Sequence, residues 1–278
     1  MKKLSVAFVA ILLLAAGCQK ADKDRVDASL RDNPFFKALG AVPAQQGEFT
    51  GHNGLDGDTS WPIVAARKIH DPTVDYQITV NRPNADVDFT LAWPCTLTVV
   101  YTDLPDTGAR DTAIKPAPKI NGTMQWRFEF QGDSWRLTEL SPCLAKFDSV
   151  LNHIVIESLQ VQVRRAGQTV PYPTLDSIQL RLPVATYPYS FLVGDSVTLH
   201  LWEMDDRGFV WAYLHAPNGT FLDGFKYDST SHAFYGTWTV SQPGNHWVWF
   251  EAVDLHDAIL DKTTPDRSIL WGLPYKVE

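Results

Sequence analysis

Three acidic groupings in this chain have residue types that bind cations or move protons. Asp56, Asp58 and Ser60 in GHNGLDGDTS alternate as the first ligands of a calcium loop do. The place such a loop reserves for glycine holds Trp61, and no glutamate closes it at the twelfth position, so Asp58 and Ser60 are expected to cap a helix instead. Asp205 and Asp206 in EMDDRG are expected in a solvated turn beside a strand. Glu251, Asp254, His256 and Asp257 lie close together in FEAVDLHD, but general acid–base work needs a matching group from another element, and no segment supplies one. There is no glycine-rich phosphate loop, no H-E-x-x-H and no G-x-S-x-G. No catalytic residue, metal or cofactor is expected, and the chain is not read as an enzyme.

Aromatic residues form a stronger constellation. Six of the ten tryptophans follow residue 200. Side chains alternate across a strand, so parity sorts them into two faces. Val197, Leu199 and Leu201 are expected to point inward, as are Val210, Ala212 and Leu214, and Val248, Phe250 and Ala252. Trp211 and Tyr213 then share the opposite face with Trp247, Trp249 and Glu251. Such a platform is too apolar to stand open in water without a role. It is expected to be buried against the first domain, residues 32–160. A ligand face, for instance a sugar ring stacked on tryptophan, and an ordinary core with reversed parity are the two other readings.

The elements that would position these residues are mostly β. From about residue 186 short strands alternate with turn signals, among them Asn218-Gly219. Gly194-Asp195 before a strand, the Asp205–Gly208 turn and Pro243-Gly244 before HWVWFEAVD make residues 186–278 resemble bacterial immunoglobulin-like and fibronectin-type-III-like domains. That resemblance implies a β-sandwich in which the Val210 and Val248 strands are neighbours. Residues 32–160 are expected as an α+β domain, helices first and then a bent antiparallel sheet. DNPFFKALG carries an N-cap at Asp32 or Asn33, Pro34 in the first turn and Gly40 as C-cap. TSWPIVAARKI repeats that grammar and is expected as a second short helix. DYQITVN and CTLTVVY alternate as strands, and MQWRFEFQGDSWRLTEL is a hairpin turning at Gly132-Asp133. With its ending WRLTELSP, this region resembles the nuclear-transport-factor-like cone fold and its cystatin-like relatives. Residues 161–185, with VPYP, are expected to connect the two domains.

The chain begins with Lys2 and Lys3, an apolar run from Leu4 to Ala16, then Gly17 and Cys18. The run is shorter than the ~20 residues that cross a bilayer and has the proportions of an export signal. Leu14-Ala15-Ala16-Gly17-Cys18 resembles the lipobox of bacterial lipoproteins, with the aliphatic residue one place early. The resemblance implies removal of residues 1–17 and acylation of Cys18, hence a bacterial cell-envelope protein anchored by lipid. Gln19 rather than Asp after the cysteine points to the outer membrane. Residues 18–31, mostly polar, are expected as a solvated tether.

Losing Lys2 and Lys3 with the leader takes the formal charge from −8 to −10. That acidity disfavours nucleic acid and electrostatic adsorption to anionic lipid. Acylation of Cys18 leaves Cys95 and Cys143. An even pair in an exported chain suggests a disulfide, worth about 4 kcal/mol in chain-entropy terms; two buried free thiols are the other reading. The sequence thus leads to a non-catalytic lipoprotein with a binding or structural role at the membrane surface. Its partner is an envelope glycan or another envelope protein, and a glycan-binding or glycan-active accessory protein is the alternative.

Overall fold

The computed structural model describes residues 19–39, 49–51, 63–69, 73–102, 110–115, 119–147, 156–172, 174–175, 181–203, 208–216, 219–254 and 268–278. Among them are two helices, α1 (residues 19–32) and α2 (Pro34–Leu39). The first strands are β1 (Phe49–Gly51), β2 (Ile63–Ile69), β3 (Thr73–Asn81), β4 (Asn84–Trp93), β5 (Cys95–Thr102), β6 (Arg110–Lys115), β7 (Ile120–Gln131), β8 (Ser134–Leu140) and β9 (Cys143–Phe147). There follow β10 (Ile156–Arg165), β11 (Gln168–Pro171), β12 (Leu182–Pro183), β13 (Tyr189–Phe191), β14 (Ser196–Glu203), β15 (Gly208–Ala216), β16 (Gly219–Gly224), β17 (Lys226–Asp228), β18 (Ala233–Thr239), β19 (Gly244–Asp254) and β20 (Ser268–Val277). For β1, β2, β5, β6, β15 and β16 the description is of the backbone. The chain is mostly β, as its alternating segments require.

α1 replaces the expected solvated tether. Asp22, Val26 and Leu30 fall on one helix face and are buried, the last two with no exposure at all. The face is narrow, so in sequence its two apolar residues disappear among charges. Asn33 then restarts the chain: its Oδ1 accepts from the Phe35 and Phe36 amides at 2.9 and 3.4 Å, and Pro34 opens α2. A second correction concerns TSWPIVAARKI. Residues Ile63–Ile69 form a strand, β2, paired with β5 from Ile63↔Tyr101 to Ile69↔Cys95. A seven-residue apolar run fits either period, and its β-branched start favours extension once a partner strand is present.

The strands form three sheets. One has the order β1-β2-β5-β6, and a second β11-β10-β14-β18-β17. The third runs β12-β8-β7-β9-β20-β19-β15-β16, with β13 on β20, β4 on β7 and β3 on β4. It crosses the boundary expected between residues 160 and 186, because β9 pairs antiparallel with β20, Cys143 opposite Gly272. The five-stranded sheet crosses it too: β10 pairs with β14, Val161 opposite Leu199. Buried side chains from Val26 to Val277 form one continuous core. Residues 161–185, expected as a connection, therefore contribute the second half of β10 and all of β11 to a sheet.

The expected hairpin is present. β7 and β8 pair from Trp126↔Leu140 to Gln131↔Ser134, with a bulge after Arg127. Gly132 in the turn has φ +67°, a left-handed conformation that glycine adopts without strain.

Candidate functional site

β15 and β19 are sheet neighbours, with Trp211 opposite Glu251, Tyr213 opposite Trp249 and His215 opposite Trp247. Register therefore puts Trp211, Tyr213, Trp247, Trp249 and Glu251 on one face. The side chains of Trp211, Tyr213 and Glu251 lie outside the described residues; those of Trp247 and Trp249 are buried. The two indoles stack at 5.6 Å, and Trp249 meets Trp93 of β4 edge-to-face at 5.3 Å. Trp247 Nε1 donates to the carbonyl oxygen of Phe35 in α2 at 3.0 Å. The opposite face of β19 is also closed: Phe250 packs on Trp271 of β20 and on Phe225, just before β17. β19 is thus sandwiched between α2 and the five-stranded sheet, and its tryptophans serve packing.

Cys143 is a free thiol and fully buried, which pushes its proton affinity far above the ordinary cysteine value. The expected bridge is absent at this residue, and the side chain of Cys95 lies outside the described residues. Register explains why the two do not meet. Trp93 lies opposite Ile120, and Ile120 opposite Phe147, which is four residues along β9 from Cys143. Two strand spacings and four residues put Trp93 and Cys143 about 16 Å apart. The two residues from Trp93 to Cys95 recover at most about 7 Å of that. A disulfide requires Cα atoms within about 7 Å. Cys18, Asp56, Asp58, Ser60, Asp205, Asp206, His256 and Asp257 lie outside the described residues. No group of three or more cation-ligating side chains occurs among the described residues.

The open site lies on the outer face of the five-stranded sheet. Val197, Leu199 and Leu201 of β14 are buried as expected. Thr198, His200 and Trp202 alternate with them and are half-buried. Register aligns His200 with Gln160 of β10 and Tyr235 of β18, and Trp202 with Ser158 and Ala233. The His200 ring lies nearly parallel to Trp202 at 6.2 Å and to Tyr235 at 6.3 Å. Together with Tyr227, Asp228 and Ser229, His200 and Tyr235 line a surface cavity of about 400 Å³. Tyr227 is 42% exposed and shares a hydrogen bond with His232 Nδ1 at 3.2 Å.

Asp228 is oriented by its own turn. It accepts from Ser231 Oγ at 2.7 Å and from the Thr230 amide at 3.0 Å. Those bonds, Ser231's first, hold its carboxyl below the usual aspartate value. Partial burial lowers the His200 affinity for a proton, against the opposing pull of Asp228, so the imidazole is neutral at pH 7. The groove therefore offers aromatic faces, a neutral imidazole, a carboxylate and hydroxyls. Sequence reasoning overlooked it although parity had placed Val197, Leu199 and Leu201 inward; the same parity puts His200 and Trp202 outward.

A second cavity of about 400 Å³ lies along β4, β7 and β9. Its polar groups serve the fold: Gln125 Nε2 donates to Asp88 at 2.8 Å, and Ser141 Oγ accepts the Gln125 amide and donates to the Pro142 carbonyl. Comparison with known proteins gives no match, whether to a family model, a curated protein or a solved structure.

Proposed function

We propose that this chain is a non-catalytic lipoprotein of the bacterial cell envelope, acylated at Cys18 and held at the outer membrane, that binds glycan on the outer face of the five-stranded sheet. The groove around His200, Trp202 and Tyr235 carries this reading. A pyranose ring presents an apolar C–H face and a rim of hydroxyls. Aromatic planes meet the first, and polar groups such as Asp228, Ser229 and the Gln160 amide meet the second. Beside the groove, β17 carries one cation, Lys226, and one carboxylate, Asp228, a local balance that suits an uncharged polyhydroxylated ligand.

The test uses the soluble chain starting at Gln19 in a glycan and peptidoglycan binding screen. Trp202→Ala and Tyr235→Ala should each weaken binding by tenfold or more, on the order of 1.4 kcal/mol, with the melting transition nearly unchanged. Binding that survives both substitutions, or no binding at all, would overturn the glycan assignment. Acylation is tested separately by metabolic labelling with a clickable fatty acid. Label should enter the native chain and be lost in Cys18→Ser.

A further inference from the structure

The chain leaves no spacer between Cys18 and the folded body. Gln19 already belongs to α1, and the next face residue, Asp22, is locked down: Arg82 donates to its two carboxylate oxygens at 2.6 and 2.5 Å. Arg82 also lies over the Phe130 ring at 4.2 Å, and the Phe130 amide donates to the Pro83 carbonyl at 2.7 Å. Further along α1, Asp27 accepts from Tyr76 Oη at 2.5 Å, and Val26 and Leu30 are buried. The helix is therefore held to β3 through Tyr76 and to the β3–β4 turn through Arg82. Three helical steps and one bond put the Cys18 Cα within about 9 Å of the Asp22 Cα.

From this we infer that the end of the molecule formed by the start of α1, the β3–β4 turn at Arg82-Pro83 and the β7–β8 turn at Gly132-Asp133 is a membrane-docking face, held against the headgroups of the bilayer that receives the Cys18 lipid. The inference rests on the acylation proposed above. The two turns share this end because Asn84 lies opposite Glu129, next to both. A cleft of about 500 Å³ opens between the β3–β4 turn and α1, lined by Gln19, Ala21, Arg25, Asn81 and Arg82 among others. Charge supports the assignment. In a chain that is acidic overall, the α1 start carries Lys20, Lys23 and Arg25 against Asp22 and Asp24, and Asp22 is already paired. With Arg82 against Glu129 and Asp133 at the two turns, this end is close to neutral, which lessens the repulsion that anionic lipid exerts on an acidic chain. A flexible tether would let the body tumble at the membrane; the clamped helix gives it one orientation.

The test uses the full lipidated chain in vesicles of phosphatidylethanolamine and phosphatidylglycerol doped with a nickel-chelating headgroup lipid. A spin label is placed at Asp133→Cys in a Cys95→Ala background, and its collisional relaxation by nickel is read. Strong relaxation is expected. It should fall severalfold when about ten Gly/Ser residues are inserted after Gln19, because a flexible segment of that length adds roughly 17 Å of reach. Asp22→Ala, which removes the bonds to Arg82 and frees the helix start, should lower it as well. Both variants should keep the fatty-acid label and a cooperative melting transition. Relaxation indifferent to the insertion in a labelled, folded chain would overturn the docking face. A native chain that takes no fatty-acid label would instead remove the acylation on which it rests.

Discussion

Trp247 and Phe35 are 212 positions apart, yet the indole N–H of one donates to the main-chain oxygen of the other at 3.0 Å. The bond ties the short helix α2 to the middle of β19. Trp247 is 2% exposed, so its removal leaves both a cavity and an unmet carbonyl. Trp247→Ala should cost about 3–5 kcal/mol and Trp247→Phe about 1–3 kcal/mol. Urea unfolding of the soluble chain measures both. Equal midpoints for the phenylalanine variant and the native chain would show that the hydrogen bond and the lost volume contribute nothing.

Gly272 gives Trp249 its place. A Cβ on Gly272 would lie 2.5 Å from the Trp249 ring, and one on Gly122 2.6 Å from the Trp93 ring. These strand glycines are the floor on which the two indoles lie. Gly272→Ala should destabilise by about 1–3 kcal/mol through overpacking, although alanine favours strand no less than glycine. In Trp249→Leu, which vacates the space, the same substitution should cost markedly less; a double-mutant cycle with no coupling would refute the contact.

Asp195 is buried and accepts three bonds from Arg165, the closest at 2.7 Å, and one from the Leu192 amide at 2.8 Å. Arg165, followed by the opposing cost of burial and then by the amide, holds its carboxyl below the usual value. The folded state thus binds this proton more weakly than the unfolded chain does. The stabilisation is complete above about pH 5 and declines as pH falls below about 4. Asp195→Asn should therefore be less stable than native by about 1–3 kcal/mol at pH 7, and the two should converge as the pH falls below 4. A gap that is constant from pH 7 to pH 2.5, read by chemical denaturation, would contradict the sign.

The Cys143 thiol should resist maleimide in the folded chain and react on unfolding, because burial denies it both access and the thiolate form. Peptide mapping after alkylation of unreduced, denatured protein should place the label on Cys143. Recovery of a peptide pair bridged from Cys95 to Cys143 would show that the register of β4, β7 and β9 is mistaken.

Local patterns settled much of this protein before any contact was known. Alternation placed Val197, Leu199 and Leu201 in the core, a turn signal placed Gly132-Asp133 between β7 and β8, and capping residues at Asp32 or Asn33 with Pro34 marked the start of α2, because each depends on backbone geometry within a few residues. Tertiary structure decided the rest. Parity correctly opposed Trp247 and Trp249 to Val248 and Phe250, but it could not say that both faces of β19 would be covered, one by α2 and the other by the five-stranded sheet. Ile63–Ile69 became a strand because β5 lay beside it. Val26 and Leu30, two apolar residues in a charged segment, became a buried seam because β3 and Arg82 were there to receive α1. The pairing of β9 with β20, and of β10 with β14, joined what sequence separates by over a hundred residues in one case and by some forty in the other. Hydrogen bonds between strands carry no record in either strand's own sequence of which edge they will meet. For that reason one core replaced two, and the aromatic face left open was the one around His200 and Trp202.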